Sequence, residues 1–174
     1  MVLQAGSLFL VGPMGAGKST LGRLLAERLG MTFVDSDQVI EARAGADIPW
    51  IFDLEGESGF RQREMQVLDD LTRQSGLVLA TGGGAVTRAE NRRALAERGT
   101  VVYLRTAIST QLRRTSKDRN RPLLQKPDPE AILTELLRLR EPHYLAVADI
   151  VVDTDDIHPR ALADHIADIY SRDS

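Results

Sequence analysis

The run Gly12-Pro13-Met14-Gly15-Ala16-Gly17-Lys18-Ser19 constrains the fold more than any other stretch of the chain. It matches G-x-x-x-x-G-K-[ST] and stands between two segments of different periodicity. Ser7-Leu8-Phe9-Leu10-Val11 reads as a buried strand leading in. Leu21, Leu24, Leu25 and Leu29 then recur at helical spacing, and Gly30 falls where a helix would stop. A strand, a glycine loop and a helix in that order let successive backbone N–H groups turn inward around an anion, with the positive end of the helix behind them. In such a loop the backbone of Gly15, Ala16 and Gly17, with Thr20 just beyond, surrounds the phosphates of a nucleotide. Lys18 reaches the β- and γ-phosphates and the Ser19 hydroxyl binds Mg²⁺. Glycine loops also make plain strand-to-helix turns, but the full motif in this context points to phosphate.

Downstream, short β-branched runs alternate with helical patterns. Thr32-Phe33-Val34-Asp35, Leu77-Val78-Leu79-Ala80, Val101-Val102-Tyr103-Leu104 and Ile150-Val151-Val152 are the strand-like pieces. Met65, Leu68 and Leu71, then Ile132, Leu136 and Leu139, then Leu162, Ile166 and Ile169, keep helical spacing. This alternation implies an α/β fold with a mainly parallel sheet covered on both faces, in which ligands bind beyond the carboxyl ends of the strands. Two segments look less regular. Gly45 to Gly59 reads as a small inserted subdomain, and Thr115 to Pro129 as a basic flap.

A chain of 174 residues with 43% apolar content is enough for one such domain and its core. It has no cysteine, so disulfides, thiolate metal sites and a cysteine nucleophile are excluded. His143, His158 and His165 lack metal-ligand spacing. The formal net charge of −3 weighs against nucleic-acid and membrane-surface roles. Arg88, Arg92, Arg93 and Arg98 alternate with Glu90 and Glu97 and read as a solvated helix face. No apolar run approaches the roughly 18 residues of a membrane span. The N-terminus shows no signal-like pattern, and a cytoplasmic monomer without membrane or nucleic-acid partners is the expectation.

Three further groups carry chemistry. Asp35-Ser36-Asp37 follows the second strand, where a carboxylate beside a phosphate loop can hold Mg²⁺; either acid could instead cap the helix that follows. Thr81-Gly82-Gly83-Gly84 follows the third strand and reads either as a turn or as a place where backbone approaches a ligand closely. Arg61, Arg114, Arg121 and Arg140 are candidates for clamping phosphate or carboxylate, because a planar guanidinium binds two oxygens at once. Arg121 sits beside Pro122 in the flap, where closure would bring a cation to transferring phosphate. Asp53-Leu54-Glu55-Gly56 mimics the D-x-x-G of a GTPase, yet no N-K-x-D follows and Asp53 does not end an apolar strand.

Taken in order, Phe9 to Thr20, Asp35-Ser36-Asp37, Gly59-Phe60-Arg61, Thr81 to Gly84, Arg121-Pro122-Leu123-Leu124 and Arg140-Glu141-Pro142-His143-Tyr144 resemble the bacterial shikimate kinases over nearly the full length. The resemblance implies a nucleoside-monophosphate-kinase-like fold: a three-layer α/β/α sandwich on a five-stranded parallel sheet of order 2-3-1-4-5. It implies transfer of the ATP γ-phosphate to the 3-hydroxyl of shikimate, on the route to chorismate and aromatic amino acids. Asp37 would bind the substrate hydroxyls and accept the attacking proton. Arg61 and Arg140 would clamp the carboxylate, with the backbone of Gly83 and Gly84 completing that pocket. Ser19 and Asp35 would hold one Mg²⁺, and Lys18 and Arg121 would neutralise phosphate charge. Arg114 would stack on adenine, assisted by the loop from Asp153 to Pro159. Within this single domain of residues 1–174, a substrate-binding subdomain would span about 37–61 and a lid about 115–124. The rival readings are a gluconate-type or other small-metabolite kinase of the same fold, and a nucleotide-binding regulator without catalysis.

Overall fold

The computed structural model describes residues 6–116 and 127–173. Its frame is a five-stranded parallel sheet in the order β2-β3-β1-β4-β5. The strands are β1 (Leu8–Val11), β2 (Thr32–Asp35), β3 (Leu77–Ala80), β4 (Thr100–Arg105) and β5 (Ile150–Asp153). The helices are α1 (Lys18–Leu29), α2 (Ser36–Ala44), α3 (Ile48–Thr72), α4 (Ala89–Arg98), α5 (Ile108–Thr115), α6 (Pro129–Val147) and α7 (Pro159–Asp173). The expected strand order and layering are therefore present. The first expected strand starts one residue later, because Ser7 turns its hydroxyl to the carbonyl of Gln74 and accepts from the amide of Leu77.

Side-chain alternation along the buried strands divides the core. Phe9 and Val11 of β1 and Tyr103 of β4 face α3, α4 and α6, where Val67, Leu68, Leu95 and Tyr144 close the layer. Leu8 and Leu10 face the opposite side, against Leu21 and Leu25 of α1 and Leu162 and Ile166 of α7.

The segment from Gly45 to Gly59 is more regular than its composition suggests. Asp47 caps α3 by accepting from the amide of Trp50, and Pro49 falls in the first turn, where a missing N–H costs nothing. The helix then breaks at Gly56, whose φ of 73° only glycine adopts without strain. Arg63 braces the break with paired bonds of 2.7 and 2.8 Å to Glu55. Asp53 lies inside this helix, away from any strand end, which disposes of the GTPase-like pattern.

Two arginines of α4 hold the fold rather than only facing water, while Arg93 is exposed. Arg98 pairs with Asp69 at 2.8 Å and Arg92 donates to the carbonyl of Val86 at 2.7 Å, so they tie α4 to α3 and to the turn before it.

Candidate active site

Register sets the site. Asp35 and Leu10 both pair with Ala80, so the carboxyl ends of β2, β3 and β1 lie side by side. From these ends emerge Asp35-Ser36-Asp37, Thr81 to Gly84 and the phosphate loop. Strand order reverses between β3 and β1, which opens the crevice that α/β sheets use for ligands. A cleft of about 360 Å³ occupies it, lined by Gly15, Gly17, Lys18, Ser19, Thr20, Asp35, Asp37, Thr81, Gly82, Gly83, Arg114 and Thr115.

On the phosphate side, Lys18 lays its ammonium across the loop, 2.6 Å from the carbonyl of Gly12 and 2.8 Å from that of Pro13. Ala16 turns its methyl into the core and donates its N–H to Pro13 at 3.2 Å. Gly15 presses against α5, and Arg114 of that helix donates to the Gly15 carbonyl at 3.0 Å. Arg114 thus stands at the rim of the cleft. Pro159 starts α7 and is not among the cleft-lining residues. Between them, Asp155 accepts from the amide of Ala107 and so anchors the loop after β5 to the start of α5.

The Ser19 hydroxyl donates to Asp35 Oδ2 at 2.8 Å. Asp35 Oδ1 accepts from the amide of Asp37 at 2.9 Å and caps α2. Capping and metal binding were alternatives on sequence alone; one carboxylate here does the first and presents oxygen where the second requires it. Among the described residues no cluster of three or more acidic, histidine or cysteine side chains forms a metal cage. Two hard oxygens beside a phosphate loop nevertheless fit Mg²⁺, which completes its shell with water and phosphate oxygen.

Across the cleft, Arg61 of α3 and Arg140 of α6 converge from separate elements, both buried. Glu64, one turn after Arg61 and fully buried, accepts from Arg61 Nη1 at 2.9 Å. Burial pushes its carboxyl above the ordinary range; Arg61 pulls it down and Asp37 raises it again. Burial, with Arg61 close by, also lowers the pKa of Arg140. Arg61 and Arg140 thus stand beside the carboxylates of Glu64 and Glu57, and their planar forks suit the two oxygens of an organic anion.

The glycine triplet matters through what it lacks. A Cβ on Gly82 would lie 2.9 Å from Asp37 Oδ1 and 3.0 Å from Glu64 Oε2. One on Gly84 would lie 2.6 Å from Arg61 Cζ, and one on Gly83 3.4 Å from Arg140 Nη1. Close approach, not a left-handed turn, is the reason for three glycines here. The glycine triplet thus brings Asp37, Arg61 and Arg140 to one place. Arg121, and the expected lid from residue 117 onward, lie outside the described residues.

Sequence reasoning missed Glu64. Its signal was present: it occupies the apolar stripe of α3, between Phe60 and the pair Val67 and Leu68, where a charge needs a partner.

A phosphate loop facing a second, cationic pocket across the switch point defines a P-loop phosphotransferase with a small anionic acceptor. Comparison with known proteins gives the particular family. The family model described as shikimate kinase matches residues 14–171. Shikimate kinase of Psychrobacter arcticus is 55% identical over 95% of this chain and 89% of its own length. That of Halorhodospira halophila is 60% identical over 92% and 91%. The solved structure of shikimate kinase from Acinetobacter baumannii in complex with shikimate superposes with a TM-score of 0.95 at 52% identity, covering 98% of this chain and 95% of that one. Shikimate kinase from Aquifex aeolicus gives 0.83 at 34%, covering 95% and 96%. The chain belongs to the shikimate kinase family, and is an ATP-dependent kinase. No helix among the described residues is long and apolar enough to cross a membrane.

Proposed function

We propose that the chain transfers the γ-phosphate of ATP to the 3-hydroxyl of shikimate, releasing ADP and shikimate 3-phosphate. The observation that carries this is the buried group of Arg61, Arg140 and Glu64 around Gly82–Gly84, beside Asp37 and across from Lys18. An acceptor with one carboxylate and several hydroxyls matches that group in charge and in hydrogen-bonding capacity.

Phosphoryl transfer asks for alignment and charge neutralisation more than covalent help. The phosphate loop holds the triphosphate by its N–H groups, and Lys18 moves from the Gly12 and Pro13 carbonyls to the β- and γ-oxygens. Arg61 and Arg140 take the acceptor carboxylate, with the N–H groups of Gly83 and Gly84 against its oxygens. Glu64 keeps the Arg61 fork aimed. Asp37 accepts the proton of the attacking hydroxyl as the new O–P bond forms and the bond to ADP breaks. Ser19 and Asp35 would hold Mg²⁺, which when bound neutralises charge on the transferring and leaving oxygens. Arg121, outside the described residues, would add cationic charge at the transferring phosphate, and Arg114, with the loop ending at Pro159, would border the adenine.

An assay coupling ADP release to NADH oxidation, run with MgATP and a panel of shikimate, quinate and gluconate, tests this. Shikimate is expected to be turned over and gluconate not. Preferential turnover of gluconate would move the chain to the other small-metabolite kinases of this fold, and no turnover of any acceptor would leave a nucleotide-binding regulator.

A further inference from the structure

The Arg140-Glu141-Pro142-His143-Tyr144 stretch supplies one arginine to the proposed mechanism, yet its last residue is the more deeply placed. Tyr144 is 1% exposed, one helical turn beyond Arg140 on α6. Its ring stacks on that of Tyr103 from β4, with centroids 4.9 Å apart. The Tyr103 hydroxyl donates to Glu141 at 2.7 Å, which pins the α6 turn between Arg140 and Tyr144 to the sheet. The Tyr144 hydroxyl donates to the carbonyl of Gly83. Gly83 in turn touches both sides of the site, since a Cβ there would come within 3.4 Å of Arg140 Nη1 and of the Met14 amide nitrogen in the phosphate loop.

A hydrogen bond to a carbonyl does two things. It fixes the plane of the peptide that follows, and it draws electron density toward the oxygen, making the N–H on the other side a better donor. That N–H belongs to Gly84, packed against Arg61. We propose that Tyr144 is a positioning residue for the acceptor: its hydroxyl holds the Gly83–Gly84 peptide so that the Gly84 N–H, Arg61 and Arg140 meet one carboxylate together. The stack on Tyr103 keeps the hydroxyl from swinging away. The phenol stays protonated and able to donate at every working pH, because burial pushes it up to about 12. The inference rests on the reading that Gly83, Gly84, Arg61 and Arg140 form the acceptor-carboxylate pocket.

The test is Tyr144→Phe, which keeps the ring and its stack and removes the one oxygen. Shikimate KM is expected to rise about three- to tenfold, in line with one lost hydrogen bond, with MgATP KM unchanged. Tyr103→Phe, which takes a hydroxyl and its bond to Glu141 from the same stack but leaves the Gly83 bond, is the control for loosening of α6 and is expected to raise shikimate KM less than Tyr144→Phe does. Thermal melts of both variants accompany the kinetics. An unaltered shikimate KM in Tyr144→Phe overturns the proposal. So does a rise in the KM of both substrates that Tyr103→Phe reproduces, since that pattern marks general loosening of the stack. Failure of the unaltered protein to phosphorylate shikimate would overturn the pocket reading itself. Failure of Tyr144→Phe alone, with Arg61 variants still impaired, overturns only the role of the hydroxyl.

Discussion

The hydroxyl of Ser19 donates to the carboxylate of Asp35 over 2.8 Å, and this bond joins the first turn of α1 to the end of β2. Both oxygens then point into the cleft beside the phosphate loop. Ser19→Ala and Asp35→Asn are each expected to raise the Mg²⁺ concentration for half-maximal rate about tenfold or more. Because both act on one ion, the double variant should lose less than the product of the single losses. Asparagine still caps a helix, so melting temperature should hardly change in Asp35→Asn. A magnesium titration at fixed ATP checks this, and an unchanged requirement would assign Asp35 to capping alone.

Asp37 sits in the first turn of α2, held by its own backbone bond to Asp35. Asp37→Asn preserves shape and removes the proton acceptor. Turnover is expected to fall about 10²- to 10⁴-fold while MgATP binding stays near that of the unaltered protein. Steady-state kinetics with calorimetric MgATP binding separates the two; equal losses in both would make the acid structural.

Gly82 and Gly84 lie two residues apart but press on different groups. Gly82→Ala crowds the Asp37 and Glu64 carboxylates and should act mainly on kcat. Gly84→Ala displaces the Arg61 guanidinium and should raise shikimate KM about tenfold or more, the value of one charge-assisted bond. Arg61→Ala should show the same KM effect more strongly, with a lower Tm because Glu64 loses its buried partner. Similar kinetic profiles for Gly82→Ala and Gly84→Ala would refute this division.

Glu64 links the site to stability. Its folded pKa is raised, chiefly by burial, so the folded state holds this proton more tightly than the unfolded chain does. Its contribution to stability is complete below the ordinary glutamate value and declines as pH rises through the folded value. Glu64→Gln removes that decline. The Tm of Glu64→Gln minus that of the unaltered protein should therefore grow as pH is raised from about 4 to 8. Melting curves across that range decide it, and a difference that is flat or shrinks with pH would contradict it.

The pieces of this molecule that local rules govern were legible in the linear chain. The phosphate loop, the ends of β2 and β3, and Gly30 as the stop of α1 each depend on neighbours within a few residues, so period and turn chemistry revealed them. Residues 45–59 look irregular by composition, whereas capping by Asp47 and burial of Ile51 make residues 48–59 part of α3, broken at Gly56.

What only the tertiary structure decided is convergence. Arg61 and Arg140 are helical arginines like many others until sheet order and helix packing turn both toward Gly83 and Gly84. Glu64 and Tyr144 acquire meaning the same way: one is a charge that burial alone would forbid, the other a hydroxyl whose partner carbonyl is distant along the chain. Periodicity records which face of an element is buried. It carries no record of what that face meets, because the meeting is fixed by the packing of all the layers at once.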